Sequence, residues 1–327
     1  VTGGRRARWT PLPFVAAAAL VALGPNYLSP YGITVGFTLL TYAALAQAWN
    51  ILGGFGGQFS LGHSAFVGTG AYGASVLLIR TGLPLAVVLP AAGLIAAALA
   101  VVVGLALFRL RGVYFSVGSL AVSLAALAWM VNWEYTGANQ GLNLPFEALP
   151  SQDTLFELAL ASVLLPTAIA WAMTRTRWGL RVQAVRDDES AAVLAGIAAG
   201  RLKIATLAIS AFCTGLVGAL LALQQISINP ESMFSLQWTV SMIVMAVIGG
   251  MGTVTGPLVG ATVVYYAIQK QLEGHATVSA LITGVLLVVV VEFFPGGLVG
   301  GVATAWRWAA ARVRGPRVAP PPTQEAS

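Results

Sequence analysis

The residues of this chain that could do chemistry are few. Two histidines, His63 and His275, sit in separate connections. No H-E-x-x-H helix, His/Asp metal spacing or G-x-S-x-G nucleophile turn accompanies them. No G-x-x-x-x-G-K-[ST] phosphate loop is present, so the chain has no P-loop with which to hold ATP. No catalytic residue, no metal ligand and no cofactor bound by this chain is therefore expected. What remains is a set of uncharged polar residues set in apolar stretches: Gln47, Asn50, Gln58, Ser60, His63, Ser64, Ser116, Ser119, Asn132, Thr253 and Thr255. Gln58, Ser60, His63 and Ser64 crowd together just after a glycine run. At membrane depth such groups are costly unless paired or wetted. Taken singly, each is read as a helix–helix hydrogen bond worth roughly 1 kcal/mol or less. Taken together, the cluster is read as lining a path for a solute.

The other chemical feature is a charged island, Arg175–Lys203. It carries Arg175, Arg177, Arg181, Arg186, Arg201 and Lys203 with Asp187, Asp188 and Glu189, between two long apolar stretches. Carboxylates suit the first turn of a helix, where amides are unpaired and the dipole is positive. A helix over 187–199 is expected, with Asp187, Asp188 and Glu189 at its start. Ala191, Ala192 and Ala195 would form a small face open to a partner, and Gly196 would stop the helix. A solvated loop without a partner is the alternative from composition alone.

These groups must be positioned by membrane helices. Of the 327 residues, 57% are hydrophobic and 9% charged, with a mean hydropathy of +0.83. A soluble domain carries about 25% charged residues. Runs of about 20 apolar residues indicate a polytopic α-helical protein rather than a barrel of alternating strands. The 37 glycines suit close helix packing. The net charge of +6 comes from basic residues at span ends, which argues for membrane flanks and against nucleic acid. Cys213 lies in an apolar run and packs as a small hydrophobe.

Spans are expected near 12–28, 32–51, 63–79, 83–108, 113–133, 155–173, 204–225, 239–268 and 277–294, so the fold class is all-α: a helical membrane bundle of about eight to ten segments. The first is read as a retained helix rather than a cleaved leader. An inside N-terminus puts Arg109, Arg111 and the island in the cytoplasm and the acidic connection with Glu134, Glu147 and Asp153 outside. The division is 1–11 as a cytoplasmic segment, 12–302 as the membrane domain and 303–327 as a basic, Pro-rich cytoplasmic tail. Nine crossings would place that tail, with Arg307, Arg312, Arg314 and Arg317, outside. The run 239–268 resolves this: Gly249, Gly250, Gly252, Thr253, Gly256 and Pro257 split it into two crossings or half-helices.

That interruption has a counterpart. Ile51-Leu52-Gly53-Gly54-Phe55-Gly56 resembles Val247-Ile248-Gly249-Gly250-Met251-Gly252, a candidate inverted repeat. Paired Gly-interrupted segments point to a transporter's binding region. Broken backbone at that depth must be buried in protein or line a polar cavity. Tight packing or ordinary turns would use the same glycines.

Four blocks now combine: LGGFGGQFSLGHSAFVGTGAYGA (Leu52–Ala74), RLRGVYFSVGSLA (Arg109–Ala121), RWGLRVQAVRDDESAAVLAGI (Arg177–Ile197) and VIGGMGTVTGPLVGA (Val247–Ala261). Together and in this order they resemble the LivM-type permease family of branched-chain amino-acid ABC importers. The resemblance implies a multi-pass subunit of a bacterial inner membrane. Its implied partners are a LivH-like second permease, two cytoplasmic ATPase subunits that use ATP and Mg, and an outer solute-binding protein, with lipid around the whole. It also implies that the coupling region 174–203 docks on the ATPases. ABC importers often carry an EAA-x-x-x-G pattern there; here Ala191, Ala192 and Gly196 match it while Glu189 is displaced by one residue. The outer loop Gly137–Gly141 resembles the family's loop near the docking side of the binding protein. The solute path is assigned to Gly53, Gly54, Gln58, Ser60, His63, Ser64, Gly249, Gly250, Gly252 and Thr253. Urea or short amides as substrate, a stand-alone secondary transporter, and an intramembrane enzyme using His63 are the rival readings.

Overall fold

The computed structural model describes residues 27–110, 112–146, 149–266, 281, 282, 285 and 297–301. The expected spans 12–28 and 277–294, apart from residues 27, 28, 281, 282 and 285, together with Arg111, Glu147, His275 and both terminal segments, lie outside the described residues.

Helix α1 (Pro30–Asn50) starts where Ser29 accepts the Gly32 amide at 3.2 Å and Pro30 supplies a preset φ. It ends in a π-helical turn, Ile51–Phe55, where the Gly56 amide reaches the Ile51 carbonyl at 3.2 Å and the Gln58 amide reaches Leu52 at 3.2 Å. The chain then runs without regular structure until α2 (His63–Thr81). Helices α3 (Leu85–Leu107) and α4 (Val113–Asn132) are largely exposed apolar surface, as lipid-facing helices are. Next comes α5 (Gln152–Arg175), capped by Ser151 through the Thr154 amide at 3.2 Å.

The island folds as two short helices, α6 (Arg177–Asp187) and α7 (Glu189–Leu194), before α8 (Ala199–Gln225). A four-residue α9 (Pro230–Met233) leads to α10 (Leu236–Gly249) and α11 (Gly256–Val264). The expected split of 239–268 is thus present: α10 ends at Gly249 and α11 restarts at Gly256, while α9 and α10 together, Pro230–Gly249, make one apolar segment long enough to cross a membrane. Among the described residues, six helical segments are long and apolar enough to cross a membrane. The 19-residue α2 is not one of them, because Gly, Ser, Thr and His dilute it.

Helix α8 is the axis of the bundle, packed on α2 and α3, while α1 lies on α5 and α10 lies on α11. Contact is close because glycines face backbone. A Cβ at Gly70 would overlap the Gly215 carbonyl, and one at Gly218 would overlap the Val67 carbonyl. At one end of the bundle lie Arg109 and the island, which the positive-inside rule makes cytoplasmic. At the other, two connections pair as a two-stranded antiparallel ladder of β1 (Leu142–Asn143) and β2 (Ser227–Ile228). Arg80 at that end lies 5.1 Å over the ring of Tyr135.

Candidate functional site

The two glycine breaks, 203 residues apart at Asn50 and Thr253, meet in space. Asn50 accepts the Gly252 amide on Oδ1 at 2.8 Å and donates from Nδ2 to the Thr253 carbonyl at 2.9 Å. Gln47, one turn earlier on α1, donates to the Val254 carbonyl at 3.1 Å. A Cβ at Gly54 would collide with the Gly252 amide and with Asn50 itself, so glycine is required for the approach. Thr253 closes its own turn, donating to the Gly250 carbonyl at 2.8 Å and accepting the Gly256 amide at 3.0 Å. Gly249 packs against the backbone of Gly256 and Gly260, which folds α10 and α11 back on each other. The Gly250, Thr253 and Val254 carbonyls of the second break are therefore taken by side-chain donors, as buried irregular backbone demands.

The segment between α1 and α2 is satisfied in the same way. The Trp49 indole donates to the Ser60 carbonyl at 2.9 Å, and Ser116 on α4 donates to the Phe59 carbonyl at 2.6 Å. Helix α2 has Gly62 as its N-cap, with no capping side chain, and the amides around its start are met by other helices. Leu61, before the cap, donates to Ser119 at 2.9 Å, and within the first turn Ser64 donates to Thr239 at 2.8 Å and Ala65 to Ser123 at 3.2 Å. The Ser64 hydroxyl also meets Ser123, at 3.0 Å.

His63 is wholly buried and both its ring nitrogens are used within the chain. Ser210 donates to the Ala48 carbonyl at 2.7 Å, so it accepts from Nε2 of His63 at 2.8 Å. Nδ1 then accepts from Ser60, at 3.1 Å, and Ser60 in turn accepts the Gly62 amide at 3.2 Å. This ordering fixes one tautomer, protonated on Nε2. The chain of bonds ties the irregular segment to α1 and α8.

Of the residues assigned to a path, Gly54, Ser60, His63, Ser64, Gly249 and Gly250 are buried, while Gly53, Gln58, Gly252 and Thr253 are half-buried. Gly57, Phe59 and Met251 beside them are exposed. Two cavities adjoin the cluster, each of about 10 Å³, no larger than one water. One lies between Leu52, Gln58, Val185 and Lys203; the other lies between Ser60, Phe66, Phe115 and Ser119.

The island differs from its sequence reading in three respects. It is not one helix over 187–199, because Asp188 turns extended (φ −153°, ψ 104°) and caps α7 by accepting the Ala191 amide at 3.0 Å. Asp187 therefore ends α6 instead of starting a helix, an unfavourable position for a carboxylate that Arg186 offsets at 2.8 Å. Ala192 does not face outward: at 5% exposure it packs with Val185 and Ala199 against the rest of the chain. The outward side of α7 is Ala191, Val193 and Leu194, with Leu194 89% exposed. Gly196 does stop the helix, at φ +81°. Glu189 binds Lys203 of α8 at 2.6 Å. Lys203 and Arg186, basic members of the island, each make a specific contact, with Glu189 and with the Gly54 carbonyl. The seven-residue spacing of Val185, Ala192 and Ala199 was the available signal for an inward face.

Residues 30–291 match the family model described as the permease component of branched-chain amino acid transport systems. The chain is 27% identical over 314 residues to the high-affinity branched-chain amino acid transport system permease protein LivM of Escherichia coli K12, covering 87% of this chain and 73% of that one. The LivM of Salmonella typhimurium LT2 is 26% identical, over 87% of this chain and 74% of its own. A shorter likeness, 28% identity over 42% of this chain and 41% of the relative, is to the fructose import permease protein FrcC of Rhizobium meliloti. No solved structure gives a significant match.

Proposed function

Because this chain belongs to the family of permease components of branched-chain amino acid transport systems, a family of multi-pass inner-membrane proteins, we propose that it works with a LivH-like second permease. The two would form the translocation path for branched-chain amino acids. Two cytoplasmic ATPase subunits, which hold the ATP and Mg, drive the cycle, and an outer solute-binding protein delivers the substrate.

The observation that carries this reading is α7. Adjoining exposed apolar side chains suit a contact with a partner, and Leu194 with Val193 projects from a short helix whose base is anchored by Glu189 and Lys203. Such a tip suits insertion into a groove on an ATPase subunit. The partial exposure of Gln58, Gly252 and Thr253 beside the paired breaks supports a path on a face shared with the second permease. In this arrangement the paired breaks stand at the cytoplasmic end of the path.

The test is ATP-driven uptake of labelled leucine by the reconstituted complex, with urea and acetamide as competitors. Leu194→Arg, which places a charge on the exposed tip, is expected to abolish uptake and ATPase co-purification while leaving the permease folded. Normal uptake in that variant, or gradient-driven uptake by the chain alone, refutes the reading.

A further inference from the structure

Arg186 joins the island to the glycine breaks. Its guanidinium donates from Nη1 to the Gly54 carbonyl at 3.2 Å. The opposite edge is held by Asp187: Nε donates at 2.9 Å and Nη2 lies 2.8 Å away, both to Oδ1. The alkyl stem lies on Gly57 (φ +67°), where a Cβ would strike Cγ of Arg186. At Gly252 a Cβ would lie 3.4 Å from Nη1. One side chain therefore bonds the first break and lies beside the second.

The carbonyl it meets is of a particular kind. Gly54 lies in the last turn of the broken first helix, where carbonyls lose their helical partners and the dipole is negative. Arg186 supplies the missing donor and a positive charge from another element. Two residues further along, Asp188 caps α7. On the far side of Gly54, Asn50 and Gln47 of the same helix hold Gly252, Thr253 and Val254. The linkage thus runs from α7 through the Asp188 cap and Arg186 to Gly54 on α1, and from α1 through Asn50 and Gln47 to the turn between α10 and α11.

We propose that Arg186 is the positioning residue that carries a displacement of α7 to the paired glycine breaks. This rests on the transport reading above. Setting orientation by charge alone would require only a cation, and lysine would serve. Linking requires the planar fork, because an ammonium cannot hold Asp187 and the Gly54 carbonyl in the same geometry.

The experiment uses the full complex in proteoliposomes and reads leucine imported per ATP hydrolysed. In Arg186→Met the ATPases still bind and hydrolyse, while import per ATP falls about tenfold or more, as loss of a charge-assisted bond implies. Arg186→Lys gives a smaller but clear fall. Asp187→Asn, a change at an exposed side chain, lowers the ratio in a permease whose folding is not in question. Spin labels give a second readout. Nucleotide trapping shifts a label at Ser190 on α7 and one at Met251 on the second break, each measured against Leu124 on α4. In Arg186→Met the Ser190 shift remains and the Met251 shift is lost. An unchanged Met251 shift or wild-type import per ATP in these variants overturns the proposal alone. Loss of the Ser190 shift also overturns it, since the fault then lies in docking. Absence of ATP-driven uptake by the wild-type complex overturns the transport reading and the proposal with it.

Discussion

The pair Glu189–Lys203 yields an asymmetric prediction. The two charges are 2.6 Å apart, but Lys203 is only 6% exposed while Glu189 is 34% exposed. At an effective dielectric of 20 the bare attraction is about 6 kcal/mol, most of it cancelled by the cost of drying the ammonium. Glu189→Gln leaves that ammonium buried beside a neutral amide. Removing one partner of a buried pair costs about 3–5 kcal/mol, and partial exposure of Glu189 reduces this to about 2–3 kcal/mol. Lys203→Met instead leaves a carboxylate that can turn into water, at a cost of about 1 kcal/mol or less. The double variant should resemble Lys203→Met. Since Glu189 opens the six-residue α7, the loss is local. Hydrogen exchange over 189–195 should quicken by about 30- to 150-fold in Glu189→Gln, by less than about tenfold in Lys203→Met, and no more in the double variant. Exchange in Lys203→Met equal to or faster than in Glu189→Gln refutes the reasoning, because burial would then not decide which partner matters.

Gly70→Ala places a Cβ on the backbone of Gly215, which no rotamer can relieve, and should cost about 1–3 kcal/mol as a lowered unfolding temperature in detergent. Gly73→Ala is its control: the nearest atom is the flexible Cδ1 of Ile95 at 3.2 Å, and stability should be unchanged or slightly raised. His63→Ala should cost about 1–3 kcal/mol by leaving Ser60 and Ser210 without their shared partner, with the KM for uptake by folded transporter unchanged. A tenfold rise in KM without loss of stability would instead give His63 a direct part in the path.

Hydropathy made the long elements legible. The stretches 83–108 and 113–133 became α3 and α4 almost to the residue, because the length of an apolar run is set by the bilayer and read directly. The break at Gly249–Pro257 was legible because glycine and proline act locally. That this break lies against Gly54 was not, since the contact depends on Asn50 and Gln47 reaching across two hundred residues. His63 was visible as a polar residue in an apolar run, but its partner Ser210 is one serine among many in α8. The inward side of Ala192 was not legible, because a six-residue helix is too short for its own period to show which side faces inward. The inward face was recorded only in the heptad from Val185 to Ala199 across three elements.

The small ladder at the outer end has a consequence for biogenesis. Leu142 pairs with Ile228, so the first strand waits until more than eighty further residues have been made and α8 has been threaded through the membrane. At roughly 5–20 residues per second, that is about 4–17 s during which the loop after α4 stands open to the periplasm without its partner. This part of the outer face is therefore closed late. A variant that delays insertion of α8 lengthens exposure of a strand edge to proteases and chaperones on the side of the membrane opposite the ribosome.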